Sequence, residues 1–223
     1  MSTSNNNSLA ERWMGWLFVG TVVVTLVGYS LPWLQSIGVA LQPNAFDLAE
    51  WMTLHPFVRA NGRWLLPALL LRLPLVLLGW SILMALLYKP YAVLPARLLY
   101  GVVAGVALAL IPAIPFFQGQ TQDANYQQQF GLWVVYLIGG ISLVVGRRIL
   151  PYREGLIGLA SIGVLCALVG VLRAYNLLAI YQVPLSIGGG CFIYTIGLLT
   201  LTLLAVTNRP TNTGETLQKA PPM

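Results

Sequence analysis

Asp47, Glu50 and His55 lie together in NAFDLAEWMTLHPFVRANGRW, residues 44–64, with Arg59 and Arg63 just beyond. Two carboxylates and an imidazole are groups that move protons near neutral pH, hold a cation or meet a charged partner. Asp47 and Glu50 are three residues apart, which puts them on one side of a helix. His55 is the only histidine, so a haem bundle of the two-histidine type is excluded. Ligation of a haem, a pigment or a metal by His55 alone stays open; the cofactor is unknown and no metal ligand is assigned. Arg72 and Arg173 place cations inside otherwise apolar runs. An arginine in hydrocarbon costs about 2.5 to 3.5 kcal/mol on insertion scales, so it faces protein or water and marks a candidate site. Asp47, Glu50, His55, Arg72 and Arg173 are therefore the candidate ligand- or partner-binding residues.

No catalytic residue is assigned. The chain has no HExxH, no GxSxG with a histidine partner, no GxxxxGK[ST] and no Cys-His pair. Cys166 and Cys191 lie inside apolar runs without a CxxC, and read as small core residues rather than a zinc or redox site.

The elements that must position these residues follow from composition. The chain is 57% hydrophobic and 8% charged, against roughly 25% charged in a soluble domain. Lipid is then its main solvent and its first partner. The net charge of +6 sits mainly in connectors between apolar runs. That pattern orients membrane proteins and argues against nucleic acid as a partner.

Six runs approach the roughly 20 apolar residues that cross a bilayer. They are Trp13–Trp33, Trp64–Tyr88, Val93–Phe117, Gly131–Leu150, Gly155–Tyr175 and Pro184–Val206. They are apolar on all sides, so helices are expected rather than the alternating strands of a barrel. Aromatic residues mark many run edges: Trp13, Trp16, Trp33, Trp64, Tyr88, Tyr91, Trp133, Tyr152, Tyr175 and Tyr181. The expected fold class is an all-α, six-span membrane bundle over residues 13–206. A polar cytoplasmic head, 1–12, precedes it without a cleavable signal, and a disordered cytoplasmic tail, 207–223, follows.

Lys89 and Arg97, then Arg147, Arg148 and Arg153, then Arg209 and Lys219 fall on one side of this threading. The connector QGQTQDANYQQQF on the other side has no basic residue. The positive-inside rule makes the basic side cytoplasmic, with both termini inside, in a cell membrane of the bacterial inner-membrane kind. The connector with Asp47 and His55 is then outside. Asn44 can cap a helix there, and Pro56 stops it near His55. Ala45, Leu48, Ala49 and Met52 form its apolar face, opposite Asp47, Glu50 and Thr53. A short interfacial helix is expected, roofing an outward vestibule above Arg72 and Arg173.

Two glycine patterns point to helix packing: Gly101-Val-Val-Ala-Gly105 with Ala109, and Gly188-Gly189-Gly190. The second could instead leave a broken helix start whose amides face a ligand. In span count and orientation, with an outer connector able to lid a pocket, the plan resembles the substrate-capturing subunits of energy-coupling-factor vitamin transporters. It also resembles the six-span permease subunits of some ABC exporters. Three functions are expected from these residues. The first is a non-catalytic subunit of a larger membrane complex, docking through the outer helix and the small-residue faces to other membrane subunits. The second is a transport component binding a small anionic solute around Arg72 and Arg173. The third is an enzyme of a lipid-linked substrate, with Asp47, Glu50 or His55 as acid or base.

Overall fold

A helix that meets protein on most of its surface forms the centre of this chain: α4 (Leu66–Tyr88), apolar from end to end apart from Arg72 and Ser81. The computed structural model describes residues 3–36, 42–61, 65–89, 91–147, 149–182 and 184–207, with side chains from Trp13 onward except that of Asn61. Trp64, Arg63, Arg148 and residues 208–223 of the expected disordered tail, with Arg209 and Lys219, lie outside the described residues, whereas Thr207 is helical.

Before α4 come α1 (Thr3–Ser30), β1 (Leu34–Ser36), α2 (Ala45–Leu54) and α3 (Pro56–Asn61). After it come α5 (Val93–Ala109), α6 (Ile114–Phe117), α7 (Ala124–Gly146), α8 (Tyr152–Ala179), β2 (Leu185–Ile187) and α9 (Gly189–Thr207). The architecture is an all-α bundle. Its five longest helices, α1, α4, α7, α8 and α9, are long and apolar enough to cross a membrane.

The third expected run breaks early. Its helix, α5, ends at Ala109 instead of continuing to Phe117. Pro112 lacks an N–H and disfavours helical angles at Ile111, and the chain resumes as the single turn α6. At 17 residues α5 rises only about 26 Å, less than the ~30 Å hydrocarbon core. The fourth run starts earlier than expected, at Ala124, because Asp123 caps it: its side chain accepts the Asn125 N–H at 2.8 Å. The polar segment ANYQQQ is thereby helical. The first helix also reaches back into the polar head, to Thr3.

Close approach comes from small residues. A Cβ on Gly28 would strike the Tyr194 backbone, and one on Gly197 would strike Thr25, so α1 and α9 pack tightly. A Cβ on Gly170 would press the Leu70 backbone at 3.2 Å, which sets α8 against α4. Tyrosine hydroxyls then tie the helices by their carbonyls. Tyr29 donates to Leu71 O at 3.1 Å, and Tyr194 donates at 2.7 Å to the carbonyl of Pro74, the proline inside α4.

A two-stranded antiparallel ribbon, absent from the sequence expectation, pairs Leu34 with Ile187 and Ser36 with Leu185. It joins the start of the first connector to the chain between α8 and α9. At the opposite end of the bundle, the Tyr88 hydroxyl shares its one proton between the Arg147 and Leu150 carbonyls, and Tyr152 donates to Ala205 O at 3.1 Å.

Lys89 belongs to that second end. Its Nζ lies 3.5 Å from Leu204 O and 5.8 Å over the Tyr152 ring. Partial burial pulls its pKa from 10.5 down to about 8. The unfolded chain therefore binds more protons than the folded one between about pH 8 and 10.5. Stability from this group rises with pH across that window, and below it the burial cost is constant. In detergent, the thermal midpoint difference between wild type and Lys89→Met is expected to narrow as pH rises through that window, with the variant ahead at pH 7. A difference that does not change with pH would contradict the assignment.

Candidate functional site

The opening stretch folds as its local chemistry dictates. Asn44 accepts from the N–H groups of Phe46 and Asp47 at 2.9 and 3.0 Å, and its amide donates to Asp47 Oδ2 at 2.8 Å. This caps α2, and Asp47 faces the positive helix end. His55 ends the helix with extended backbone, as the residue before Pro56 must. Ala45, Leu48, Ala49 and Met52 are fully buried, and α2 packs on α4. Thr53 leaves the expected polar face: it is buried, and its hydroxyl donates to Glu50 O at 2.6 Å.

Arg72 has no exposed surface at all. Its acceptors are amides from the first turns of α7. Nη1 donates to Gln128 Oε1 at 2.9 Å and Nη2 to Asn125 Oδ1 at 2.6 Å. The Phe46 ring of α2 lies 5.8 Å from the guanidinium carbon, a cation–π distance. Each amide is itself held. Gln128 Nε2 donates to Leu65 O at 3.2 Å, and the Asn125 backbone is fixed by Asp123. Arg72 Nε meets no acceptor among the described residues. The helix α2 does cover Arg72, but through a ring rather than a carboxylate.

The carboxylates lie elsewhere. Asp47 and Glu50 are exposed, and neither forms an ion pair among the described residues. Asp123 pairs with Arg59 at 3.7 Å, an exposed contact between α3 and the cap of α7. Arg59 also donates from Nε to Thr53 O at 2.8 Å. A surface pair of this kind adds little stability. Its meaning is positional, because it brings the first and third connectors together.

His55 turns inward. Its Nδ1 accepts the Phe57 N–H at 3.2 Å, so Nε2 carries the proton. That Nε2 is buried and has no acceptor among the described residues. The ring stands edge-on to Tyr181 at 5.5 Å, in a cleft of about 350 Å³ with Trp51, Leu54, Leu178 and Leu185. Among the described residues, no three His, Cys, Asp or Glu side chains gather as a metal site.

Arg173 is separate from Arg72. It is exposed and lines a cleft of about 330 Å³ with Asn176, Leu177, Phe57, Val58, Leu66 and Pro67. Pro67 and Arg72 differ by five residues, about 140° around α4, so the two arginines serve different faces. The expected single vestibule therefore resolves into a sealed Arg72 cluster, a His55 cleft and an Arg173 cleft.

The packing residues also divide. Gly188 and Gly190 lie against the carbonyls of Leu31 and Pro32, while Gly189 is open. Gly101 and Gly105 meet nothing within 4 Å, and Ala109 is exposed. Asn125, Gln128 and Phe46 are the residues that sequence reasoning missed. The signal was present: an amide-rich segment, NYQQQ, facing an arginine for which no acid was available inside any run.

Compared with family models, curated proteins and solved structures, the chain matches none.

The Arg72 cluster predicts a measurable coupling. A double-mutant cycle of Arg72→Met and Gln128→Leu is expected to give an interaction energy of about 1.5–3 kcal/mol, as for hydrogen bonds to charged groups. Equilibrium unfolding in detergent would read it. Simple additivity of the two single variants would show that the amides do not hold the charge.

Proposed function

We propose that the chain is a non-catalytic subunit of a larger membrane complex, docking through the open face of α5 and the outward face of α2. In this reading α5 is the sixth crossing, and both termini lie on the cytoplasmic side. The support for the threading is charge: Lys89, Arg97, Arg147 and Arg153 gather around the Tyr88 end of the bundle. Ion pairing and amide contacts at the other end bring the first and third connectors together, as alternating crossings require.

The observation that carries the docking reading is a contrast between glycines. Gly28, Gly170 and Gly197 are each filled by a neighbouring helix of the same chain. A Cβ on Gly101 or Gly105, four residues apart on α5, would meet nothing within 4 Å, and Gly105 borders a cleft with Leu26, Tyr29 and Phe46. Lipid tails gain nothing from a glycine face, whereas another helix backbone can approach it closely. Beside it runs an apolar groove of about 420 Å³ lined by Tyr100, Val103, Ala104, Ala107, Leu137 and Gly140. Three residues of α7 are buried (Gln129, Leu132 and Tyr136) and three of α5 (Pro95, Leu99 and Val106), so the α5–α7 side is thinly covered by the chain itself. On the other end, Trp51 and Leu54 of α2 turn outward, with Phe57 of α3 beside them.

A transport component for an anionic solute is supported by the Arg173 cleft. It has less support at Arg72, where both Nη atoms are already engaged by Gln128 and Asn125.

The double variant Gly101→Leu/Gly105→Leu tests docking. Its thermal midpoint as an isolated chain in detergent is expected to match wild type, since the added side chains enter open space. Its incorporation into the native complex is expected to fall severalfold. Gly197→Leu, which overpacks a filled contact, is expected to lose about 1–3 kcal/mol or more in the isolated chain. Full incorporation of the double variant would overturn the α5 interface.

A further inference from the structure

Arg173 raises a question that docking through α5 does not answer. Its guanidinium forms no ion pair among the described residues, and it is exposed on an apolar helix. At 28 residues, α8 rises about 42 Å, well beyond a ~30 Å hydrocarbon core. Arg173, six residues before its end, therefore sits near the edge of the hydrocarbon, where lipid headgroups begin.

The surroundings are built for an amphiphile. Arg173 and Asn176 are three residues apart, on the same side of α8, and both line one cleft. The other walls are Phe57 and Val58 of α3, Leu66 and Pro67 at the start of α4, and Leu177. Among the described residues no carboxylate lines it. Arginine offers a planar fork of donors to phosphate oxygens, and an amide adds one more. A hydrated free anion gains nothing from the apolar walls, whereas an acyl chain gains by covering them.

We propose that this cleft binds the phosphate headgroup of an anionic membrane lipid, with Arg173 as the charged donor and Asn176 as its neighbour. The shared chemistry is a phosphate anion; the apolar walls assign it to a lipid. The site is independent of the docking face, which lies on α5.

The test uses the full chain, delipidated in mild detergent. Thermal midpoints are followed against phosphatidylglycerol, phosphatidylcholine and inorganic phosphate, for wild type, Arg173→Gln and Arg59→Gln. Wild type is expected to be stabilised by phosphatidylglycerol well before phosphatidylcholine. Arg173→Gln is expected to bind the anionic lipid about fivefold more weakly, the scale of one basic residue at an anionic surface. Arg59→Gln, outside the cleft, keeps the preference. Stabilisation by inorganic phosphate alone, equal to that by the lipid, would overturn the lipid assignment in favour of a free-anion site. An unchanged lipid preference in Arg173→Gln would overturn the site itself. If Arg173→Gln does not fold, native mass spectrometry of wild type decides. Preferential retention of phosphatidylglycerol over phosphatidylcholine that Arg173→Lys preserves supports the proposal, and equal retention of the two lipids overturns it.

Discussion

A guanidinium with no exposed surface must find its acceptors inside the chain, because hydrocarbon offers none. Arg72 meets most of that demand with the side-chain oxygens of Asn125 and Gln128 and with the face of Phe46, while its Nε finds no acceptor among the described residues. Much of this half of the bundle follows from this. The amides must be at the right height, so α7 has to begin at Ala124, with Asp123 as its cap. Phe46 must lie over the charge, so α2 has to pack along α4, with Asn44 holding its first turn. A charged group that is expensive to bury thus acts as the registration point for α2, α4 and α7. Neutral amides rather than a carboxylate hold it, while Asp47 and Glu50 stay exposed and Asp47 accepts from Asn44.

The same constraint governs the interior. Tyr29 and Tyr194 bring hydroxyls into the packed core, and each is satisfied by a carbonyl of α4 near Pro74. Trp80 donates to Tyr136 O at 3.0 Å, and Tyr136 donates to Val103 O at 2.9 Å, linking α4 to α7 and α7 to α5. These side-chain bonds, with glycine contacts at Gly28, Gly170 and Gly197, replace the hydrophobic drive that water would supply to a soluble bundle. A Cβ on Gly101 or Gly105 of α5 would meet no such neighbour, and the same holds for Gly20, Gly131 and Gly158 on other helices.

The sequence made the helical core legible because long apolar runs have few alternatives. Asn44, Pro56 and the 3.6-residue spacing of Leu48 and Met52 placed α2 within one residue of its observed span. The run through Val93 was read too far, since hydropathy does not feel Pro112 as a break when the flanking residues remain apolar. The ribbon of Leu34–Ser36 with Leu185–Ile187 was illegible because three-residue strands carry no period. The candidate site was half legible. Arg72 announced itself as a buried cation, but hydropathy treated NYQQQ as loop, and so its acceptors were sought among acids. Arg173 was grouped with Arg72 by depth alone; depth says nothing about which way a side chain faces around its helix.

In the proposed reading the Arg72 cluster serves the chain's own architecture and the face of α5 receives another component. The mass of the native particle tests this most directly. The chain would be extracted from its own membranes in mild detergent, and the particle weighed with its lipid and detergent accounted for. The particle is expected to contain other polypeptides in fixed ratio to this 24.3 kDa chain. A lone chain, or an oligomer of this chain and nothing else, would contradict it.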